Sequence, residues 1–191
     1  MNISANCSSK CTAFLAAACV AVNAWAAEWS DSKPALYRGD IIVTYRARVV
    51  DGWLVVEAKH APNWHTYAMD NLVRAEKASG AKTDEVEAPT QIRVGGGLKT
   101  AGGWKQSPPD DLSNQEIRWF TWGFANTARF AVKVEHVSDS PGLIVVNAQV
   151  CSDALCSFAR DLELVVPTDG PDDTAEATGL LEGLIDVQTQ L

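Results

Sequence analysis

The sequence predicts an all-β protein, an antiparallel sandwich with a short helical tail at its C-terminus. Two observations lead to this prediction. Short segments alternate between apolar and polar residues, as is typical of strands that bury one face. Turn residues, mainly glycine, proline and aspartate, separate these segments. Short alternating strands joined by such turns favour a β-sandwich of the immunoglobulin-like type.

The first two predicted strands form a hairpin. In residues 41–50 alternate side chains are apolar, and this set comprises Ile41, Val43, Tyr45, Ala47 and Val49. The dipeptide Asp51-Gly52 follows, which is a strong signal for a two-residue hairpin turn. We therefore expect residues 53–60 to return antiparallel to residues 41–50.

Three further segments alternate in the same way and are predicted to be strands. They are residues 128–136, 143–150 and 160–166, and a Ser-Pro-Gly turn at residues 140–142 precedes the second of them. In the strand over residues 143–150 the even-numbered positions are apolar, so these side chains are expected to enter the core.

Less regular stretches lie between and after the strands. Residues 70–90 are compatible with one short helix, whereas residues 95–115 are rich in glycine and proline and predict a loop. Residues 168–191 begin as an acidic linker and continue as a short helix, which we expect to pack on its own domain. The sandwich is accordingly predicted to occupy residues 27–167.

The first residues have the pattern of a secretory signal peptide over residues 1–26. One lysine precedes an apolar run at residues 12–22, and the small residues Ala24 and Ala26 follow. The run is too short to span a bilayer, so a retained membrane anchor is the weaker interpretation, as is a lipid-modified Cys19. We expect a cleaved leader and a periplasmic or secreted protein that is not embedded in a membrane.

The chain has five cysteines, and cleavage would leave two of them. Cys7, Cys11 and Cys19 precede the predicted cleavage site, and Cys151 and Cys156 remain. Two cysteines in an exported protein predict a disulfide, because the compartment is oxidising. The formal net charge is −8, which disfavours partners such as nucleic acid or an anionic membrane.

A bridge between Cys151 and Cys156 would be a weak staple. Closing a loop of about six residues contributes only ~2 kcal/mol through the unfolded chain. Cys151 also follows the strand in the phase opposite to the apolar set, so its sulfur is expected off the main core. A reversible pair fits these features, although a structural clip around a local loop remains the alternative.

A metal site is the other chemistry that paired cysteines allow. Zinc would need four ligands, and His60 and His65 are the histidines that could approach each other. Copper(I) could accept two thiolates, but nothing in the spacing requires it. We therefore expect no metal and no cofactor.

Three segments resemble the periplasmic N-terminal domain of the DsbD-type thiol:disulfide interchange proteins. "NWHTYAMDN" (63–71) is similar to the Gly-Trp-His-x-Tyr segment of that family, with Asn63 at the position of the glycine. "APTQIRV" (88–94) is similar to its Pro-Thr strand, and "VVNAQVCSDALCSFARDLELVVP" (145–167) to its strand, cysteine, loop, cysteine, strand ending. The match runs from about Tyr37 to Pro167.

The resemblance implies a thiol-disulfide exchange domain in which Cys151 and Cys156 pass electrons between thioredoxin-like partners. A membrane thiol reductase is a further partner that it implies. If the domain is active, it would be a thiol:disulfide oxidoreductase of the protein-disulfide reductase type. In the family an aromatic cap loop shields the pair, and the candidates here for cap or partner contacts are Trp104, Trp122, His65 and Tyr67. Core packing is the competing interpretation of the aromatic residues, and we expect it for at least Trp119 or Phe120.

Local charge predicts which side of the exchange this pair takes. Asp153 and Asp161 lie near the cysteines with Arg160, and acidic neighbours disfavour a thiolate. The pair is therefore better suited to be attacked by the thiolate of a partner, and chain order in the family implies attack at Cys156. The rival interpretation is a non-enzymatic binding module for a protein or copper, with a structural loop disulfide.

Overall fold

The computed structural model describes residues 29–83, 86–168 and 172–189. The predicted signal peptide and its three cysteines lie outside the described residues. Along the chain the strands are β1 (Lys33–Tyr37), β2 (Asp40–Val50), β3 (Trp53–His60), β4 (His65–Tyr67), β5 (Gln91–Gly96), β6 (Leu98–Thr100), β7 (Lys105–Gln106), β8 (Asp110–Asp111), β9 (Trp122–Ala125), β10 (Thr127–His136), β11 (Gly142–Cys151), β12 (Cys156–Val166) and β13 (Ile185–Asp186). The helices are α1 (Asn71–Ser79) and α2 (Thr174–Leu181).

The strands form two antiparallel sheets. The first sheet has the order β1-β2-β3-β10-β7-β13, with β6 also paired to β10. The second sheet has the order β12-β11-β4-β9-β8, with β5 also paired to β11. One apolar core lies between the sheets and takes side chains from both, including Tyr45, Leu54, Phe130, Phe124, Ile144 and Leu164. The predicted all-β sandwich is confirmed.

The predicted first hairpin is confirmed in detail. Val50 pairs with Trp53, so the turn between β2 and β3 has two residues. Asp51 and Gly52 have φ values of 48° and 69°, the left-handed conformations of a type I′ turn. This turn matches the twist of the strands and fixes the register of the pair.

The predicted alternation of β2 is wrong at its first position. Ile41 is 54 % exposed, whereas Ile42 is buried. Ala35 of β1 pairs with Val43 and Leu36 pairs with Ile41, so Ile42 is the extra residue of a β-bulge. A bulge reverses the phase of the residues beyond it, which turns Ile41 outward.

The glycine- and proline-rich stretch was expected as a loop, and the structure corrects this expectation. It contains the short strands β6, β7 and β8, and β7 joins the first sheet between β10 and β13. At Gly96 and Gly97 an added Cβ would overlap the carbonyl oxygens of Pro141 and Ser140. The glycines therefore let this stretch pass close to the turn before β11.

The C-terminal tail packs on its own domain, as expected. Asp173 caps α2 by accepting a hydrogen bond from the amide of Glu176 at 2.9 Å. Glu176 binds Arg48 of β2, Ala177 is buried, and β13 pairs with β7. No helix among the described residues is long and apolar enough to cross a membrane. Whether the sandwich folds without residues 168–191 stays a prediction.

Candidate redox site

The hairpin of β11 and β12 brings the two cysteines together. Cys151 is the last residue of β11, Cys156 is the first residue of β12, and the register pairs them directly. They form a disulfide, with Cα atoms 4.0 Å apart. The intervening loop is closed by a hydrogen bond of 2.8 Å from the amide of Ser152 to the carbonyl of Leu155. Strand pairing on both sides of this loop therefore sets the geometry of the bridge.

The two halves of the disulfide differ in exposure. Cys151 is only 2 % exposed, because β11 lies between β4 and β12 in the second sheet. Cys156 is exposed, since β12 is the edge strand of that sheet. Cys151 lies on the outer face of the sheet and outside the core cluster, as its strand phase predicts. An incoming group can thus reach the sulfur of Cys156 more readily than that of Cys151.

His65 and Tyr67 lie beside the buried half of the bridge. His65 of β4 is the cross-strand partner of Cys151. Its Nε2 is 3.1 Å from the hydroxyl of Tyr67, and the two rings meet edge to face. Burial lowers the pKa of His65, and the carboxylates of Asp153 and Glu87 only partly oppose this effect. The imidazole is therefore neutral near pH 7 and offers no cation to the cysteine pair.

The residue Gln149 connects Cys151 to the chain before β5. Gln149 precedes Cys151 by two positions on the same face of β11, and its Nε2 is 3.4 Å from the Cys151 Sγ. Its Oε1 accepts a hydrogen bond of 2.8 Å from the amide of Ala88. Thr90 donates its amide and hydroxyl to the carbonyl of Tyr67. These bonds hold residues 86–90 against β4 and β11, and these residues are called the 86–90 segment below.

A tryptophan supports this segment from its outer side. The Nε1 of Trp119 donates to both carboxylate oxygens of Glu87, at 3.0 and 3.2 Å. Trp119 is 38 % exposed, so core packing is wrong for this residue, whereas Phe120 is half-buried. It lies in a hairpin-like turn in which Asn114 and Trp119 exchange backbone hydrogen bonds, and this turn directs the indole outward.

The aromatic candidates for a cap lie in different places. Trp122 of β9 is half-buried and packs against the core. Trp104 also packs against the core, but it precedes β7 of the first sheet and accepts a hydrogen bond from the amide of Val187 through its carbonyl. The structure thus brings His65 and Tyr67 to the cysteines, whereas Trp104 belongs to the other sheet. Cap or partner contacts of these four residues stay predictions.

A shallow groove of about 330 Å³ runs along the outer face beside the bridge. Phe158 lines it and is 49 % exposed, and it pairs across the strands with Gln149. The guanidinium of Arg160 lies 4.6 Å from the centre of the Phe158 ring, and Arg93 pairs with Asp161 at 3.2 Å. The groove therefore offers an apolar ring and mixed charges on the face that carries the bridge, and its nearest lining residues, Gln149 and Phe158, are each two positions from a cysteine.

Thiol–disulfide exchange is the chemistry that this arrangement allows. A thiolate attacks one sulfur of a disulfide and expels the other, and access decides which sulfur is attacked. Among the described residues no group of three or more His, Cys, Asp or Glu side chains is placed to hold a metal ion. Sequence reasoning missed Gln149 and Glu87, although the strand phase of Gln149 already placed it on the face of Cys151.

Comparison with solved structures shows where this sandwich has been seen before. The N-terminal periplasmic domain of ScsB from Proteus mirabilis matches with a TM-score of 0.58 and 14 % identity, over 83 % of this chain and 60 % of that one. This chain is similar in fold to the ScsB domain. It spans about 60 % of the length of that structure.

A second solved structure is the N-terminal domain of DsbD from Neisseria meningitidis in its reduced form. It matches with a TM-score of 0.44 and 14 % identity, over 75 % of this chain and 89 % of that one. The predicted resemblance to a periplasmic N-terminal domain of this kind is confirmed as a resemblance in fold by the match to the ScsB domain. No protein-family model matches the chain, and no curated protein sequence matches it.

Proposed function

We propose that this chain is an exported thiol–disulfide exchange domain, which passes electrons between thioredoxin-like partners through Cys151 and Cys156. The observation that supports the proposal best is the unequal exposure of one disulfide, with Cys156 open to solvent on an edge strand and Cys151 buried. A disulfide with a purely structural role would not need a solvent-exposed sulfur. The fold shared with the ScsB domain is in keeping with this role.

The exchange begins at Cys156. A thiolate of the partner attacks the Cys156 Sγ, a new disulfide forms between the partner and Cys156, and the bond to Cys151 breaks with its electron pair on the Cys151 sulfur. A second thiolate of the partner then attacks the partner's own sulfur and releases Cys156. The chain has gained two electrons as a dithiol, and the partner leaves as a disulfide. The reverse sequence passes the electrons to the next partner.

Local charge makes this chain the attacked member of the exchange. An attacking cysteine needs a nearby cation or helix N-terminus to favour its thiolate. Here the neighbouring imidazole of His65 is neutral, and the carboxylates of Asp153 and Glu87 lie close enough to act on it. The thiolate that starts the reaction is therefore supplied by the partner.

The proposed compartment is the periplasm or the exterior of the cell. Three features support it: the signal-peptide pattern of residues 1–26, the closed disulfide, and the similarity to a domain described as periplasmic. In this setting a membrane thiol reductase is the natural source of electrons, because the compartment itself is oxidising.

Trapping the mixed disulfide tests this function directly. A thioredoxin-like protein that keeps only its attacking cysteine, activated as the mixed disulfide with 5-thio-2-nitrobenzoate, should form a stable adduct with the Cys151→Ser variant. The Cys156 thiolate attacks the partner's sulfur and expels thionitrobenzoate, and no second cysteine is then present to resolve the adduct. The matched Cys156→Ser variant should form far less adduct, because Cys151 is buried. Adducts are counted by non-reducing gel and intact mass.

A redox titration provides the quantitative test. A pair that exchanges electrons should titrate well above about −300 mV, the range below which structural bridges usually lie. Free thiols at each glutathione or dithiothreitol potential are read by alkylation of the native protein. A native disulfide that a thioredoxin-like dithiol cannot reduce would overturn the proposal and leave the binding-module interpretation.

A further inference from the structure

We propose that Gln149 is a catalytic residue of this exchange, whose side-chain amide stabilises the Cys151 thiolate that forms when the disulfide opens. The inference rests on the proposed function and adds to it a group that touches a reacting atom. Gln149 is not a cysteine, a charged residue or an aromatic, so no motif in the sequence marks it.

The orientation of the Gln149 amide is set by two partners. Its Oε1 accepts from the amide of Ala88 at 2.8 Å, and a backbone amide can only donate. The oxygen must therefore face Ala88, which leaves the NH₂ group directed at the Cys151 Sγ, 3.4 Å away. The 86–90 segment thus holds the donor in place before the reaction starts.

The Cys151 sulfur needs such a donor only once it carries charge. A bridged sulfur is a weak hydrogen-bond acceptor, but a thiolate at a site that is 2 % exposed pays a large desolvation cost. A hydrogen bond to a charged group is worth more than one to a neutral group. The amide of Gln149 therefore favours the departing thiolate over the intact disulfide, which lowers the barrier to opening.

The contribution is confined to one step. The partner thiolate forms its bond to the Cys156 Sγ, the Cys151–Cys156 bond breaks, and the electron pair moves to the Cys151 Sγ, where the Nε2–H of Gln149 points. On closure the same thiolate attacks Cys156 and expels the partner thiolate. Gln149 neither gains nor loses a proton in either direction.

Reduction kinetics of matched variants test this role. Gln149→Leu removes both hydrogen bonds and is expected to slow the reduction of the native disulfide by dithiothreitol about tenfold. Gln91→Leu is the control, because Gln91 is exposed on β5, lines the same groove and changes the same functional group. This control should react at the rate of the unmodified protein. Equal rates for Gln149→Leu and the unmodified protein would overturn the inference.

A second variant separates chemistry from support of the 86–90 segment. Gln149→Glu keeps an oxygen that can accept from the amide of Ala88, but it replaces the NH₂ donor by a carboxylate. If Gln149 only held the segment, this variant would react at the normal rate with normal hydrogen-exchange protection at Ala88. We expect that protection to persist while the reduction rate falls at least as far as in Gln149→Leu, with Gln91→Glu unchanged.

The two proposals fail in different ways. If the unmodified protein is not reduced by a thioredoxin-like dithiol, the proposed function fails. If it is reduced, and both Gln149 variants match it, only the role of Gln149 fails. Thermal unfolding of the oxidised proteins checks that each variant is folded, and Gln149→Glu decides the question should Gln149→Leu be unstable.

Discussion

The two sheets of the sandwich share one core but use their outer faces differently. On the first sheet Arg46, Glu57 and Arg129 form a cross-strand ladder of ion pairs, and Trp29 lies over Arg46 with its ring centre 4.2 Å from the guanidinium. The tail helix α2 lies on the same face, where Glu176 binds Arg48. On the second sheet the outer face carries the disulfide and an open groove.

This difference separates residues that hold the fold from residues free to do chemistry. Arg46, Glu57 and Arg129 on the first sheet are paired with one another, and Arg48 is 4 % exposed beneath the tail. On the second sheet, Cys156 of the disulfide and the nearby Phe158 are exposed. Changes on the first face should therefore affect stability and spare exchange, whereas changes on the second should do the opposite.

Replacing both cysteines by serine should have the largest effect on function and a small one on stability. Exchange with a thioredoxin-like partner is expected to vanish, while the free energy of unfolding falls by only about 2 kcal/mol, because the bridge closes a very short loop. Chemical denaturation of the oxidised protein and the double variant measures this. A loss of several kcal/mol would mean that the bridge is structural and that the contrast between the faces is mistaken.

Acid should weaken the junction between the two sheets. Burial lowers the pKa of His60 to about 4, while the carbonyl of Asn126 opposes this effect and Thr66 contacts the other ring nitrogen. A histidine in an unfolded chain has a pKa of about 6.5. Between the two pKa values the histidine is therefore protonated in the unfolded chain but neutral in the folded one. The free energy of unfolding therefore falls by about 3 kcal/mol as the pH drops from about 6.5 to 4. Below pH 4 the protonation of His60 causes no further loss.

Denaturation curves across this pH range check the effect of His60. The His60→Gln variant should lose most of the pH dependence, while His136→Gln should keep it, since His136 is exposed at the end of β10. An unchanged slope in His60→Gln would show that other groups, such as His65 or carboxylates elsewhere, cause the acid sensitivity.

Removing Glu176 should destabilise the fold and leave exchange unchanged. Glu176→Ala leaves the guanidinium of Arg48 buried without its carboxylate, which costs about 2 kcal/mol; the cost is below that of a fully buried pair because the Glu176 side chain is 36 % exposed. Glu182→Ala, at an exposed position just after α2, is the neutral control. Replacing both partners, as Arg48→Met with Glu176→Leu, should recover most of the loss. A slower exchange in Glu176→Ala would contradict the separation of the two faces.

Much of the fold followed from strand patterns, for a physical reason. Alternation fixes which side chains face the core, so the hairpin at Asp51-Gly52 and the outward phase of Cys151 could both be predicted. The bulge at Ile42 could not, because a binary pattern does not show an inserted residue. The β7 strand was also missed, since two residues in a glycine-rich stretch carry no periodicity.

The candidate site was predictable only in part. The cysteine pair lies on a hairpin whose pairing follows from local pattern, whereas His65 reaches Cys151 only through the long-range pairing of β4 with β11. The bond between Gln149 and Ala88 joins residues 61 positions apart, and no local signal indicates it. Trp104 illustrates the same limit, because its place on the first sheet depends on the pairing of β7 with β10. Contacts that depend on the topology of the sheets could not be predicted from the sequence and are seen only in the structure.

The smallest predicted effect concerns the turn that leads into β4. The amide of Trp64 donates to the carbonyl of Ala61, and Asn63 has φ of 66°, so Pro62 and Asn63 occupy the centre of a type II turn that requires a left-handed residue. Asn63→Gly should change the free energy of unfolding by no more than about 0.5 kcal/mol, because glycine adopts this conformation freely but loses more entropy on folding. Asn63→Ala should cost about 1 kcal/mol, since alanine is strained in the left-handed conformation and lacks the short polar side chain by which asparagine tolerates it.

Neither change should alter exchange, although His65 lies two residues away. A slowed exchange in Asn63→Gly, at unchanged stability, would show that the position of β4 affects the rate of exchange. Residues of the second sheet that hold the fold would then also contribute to the chemistry.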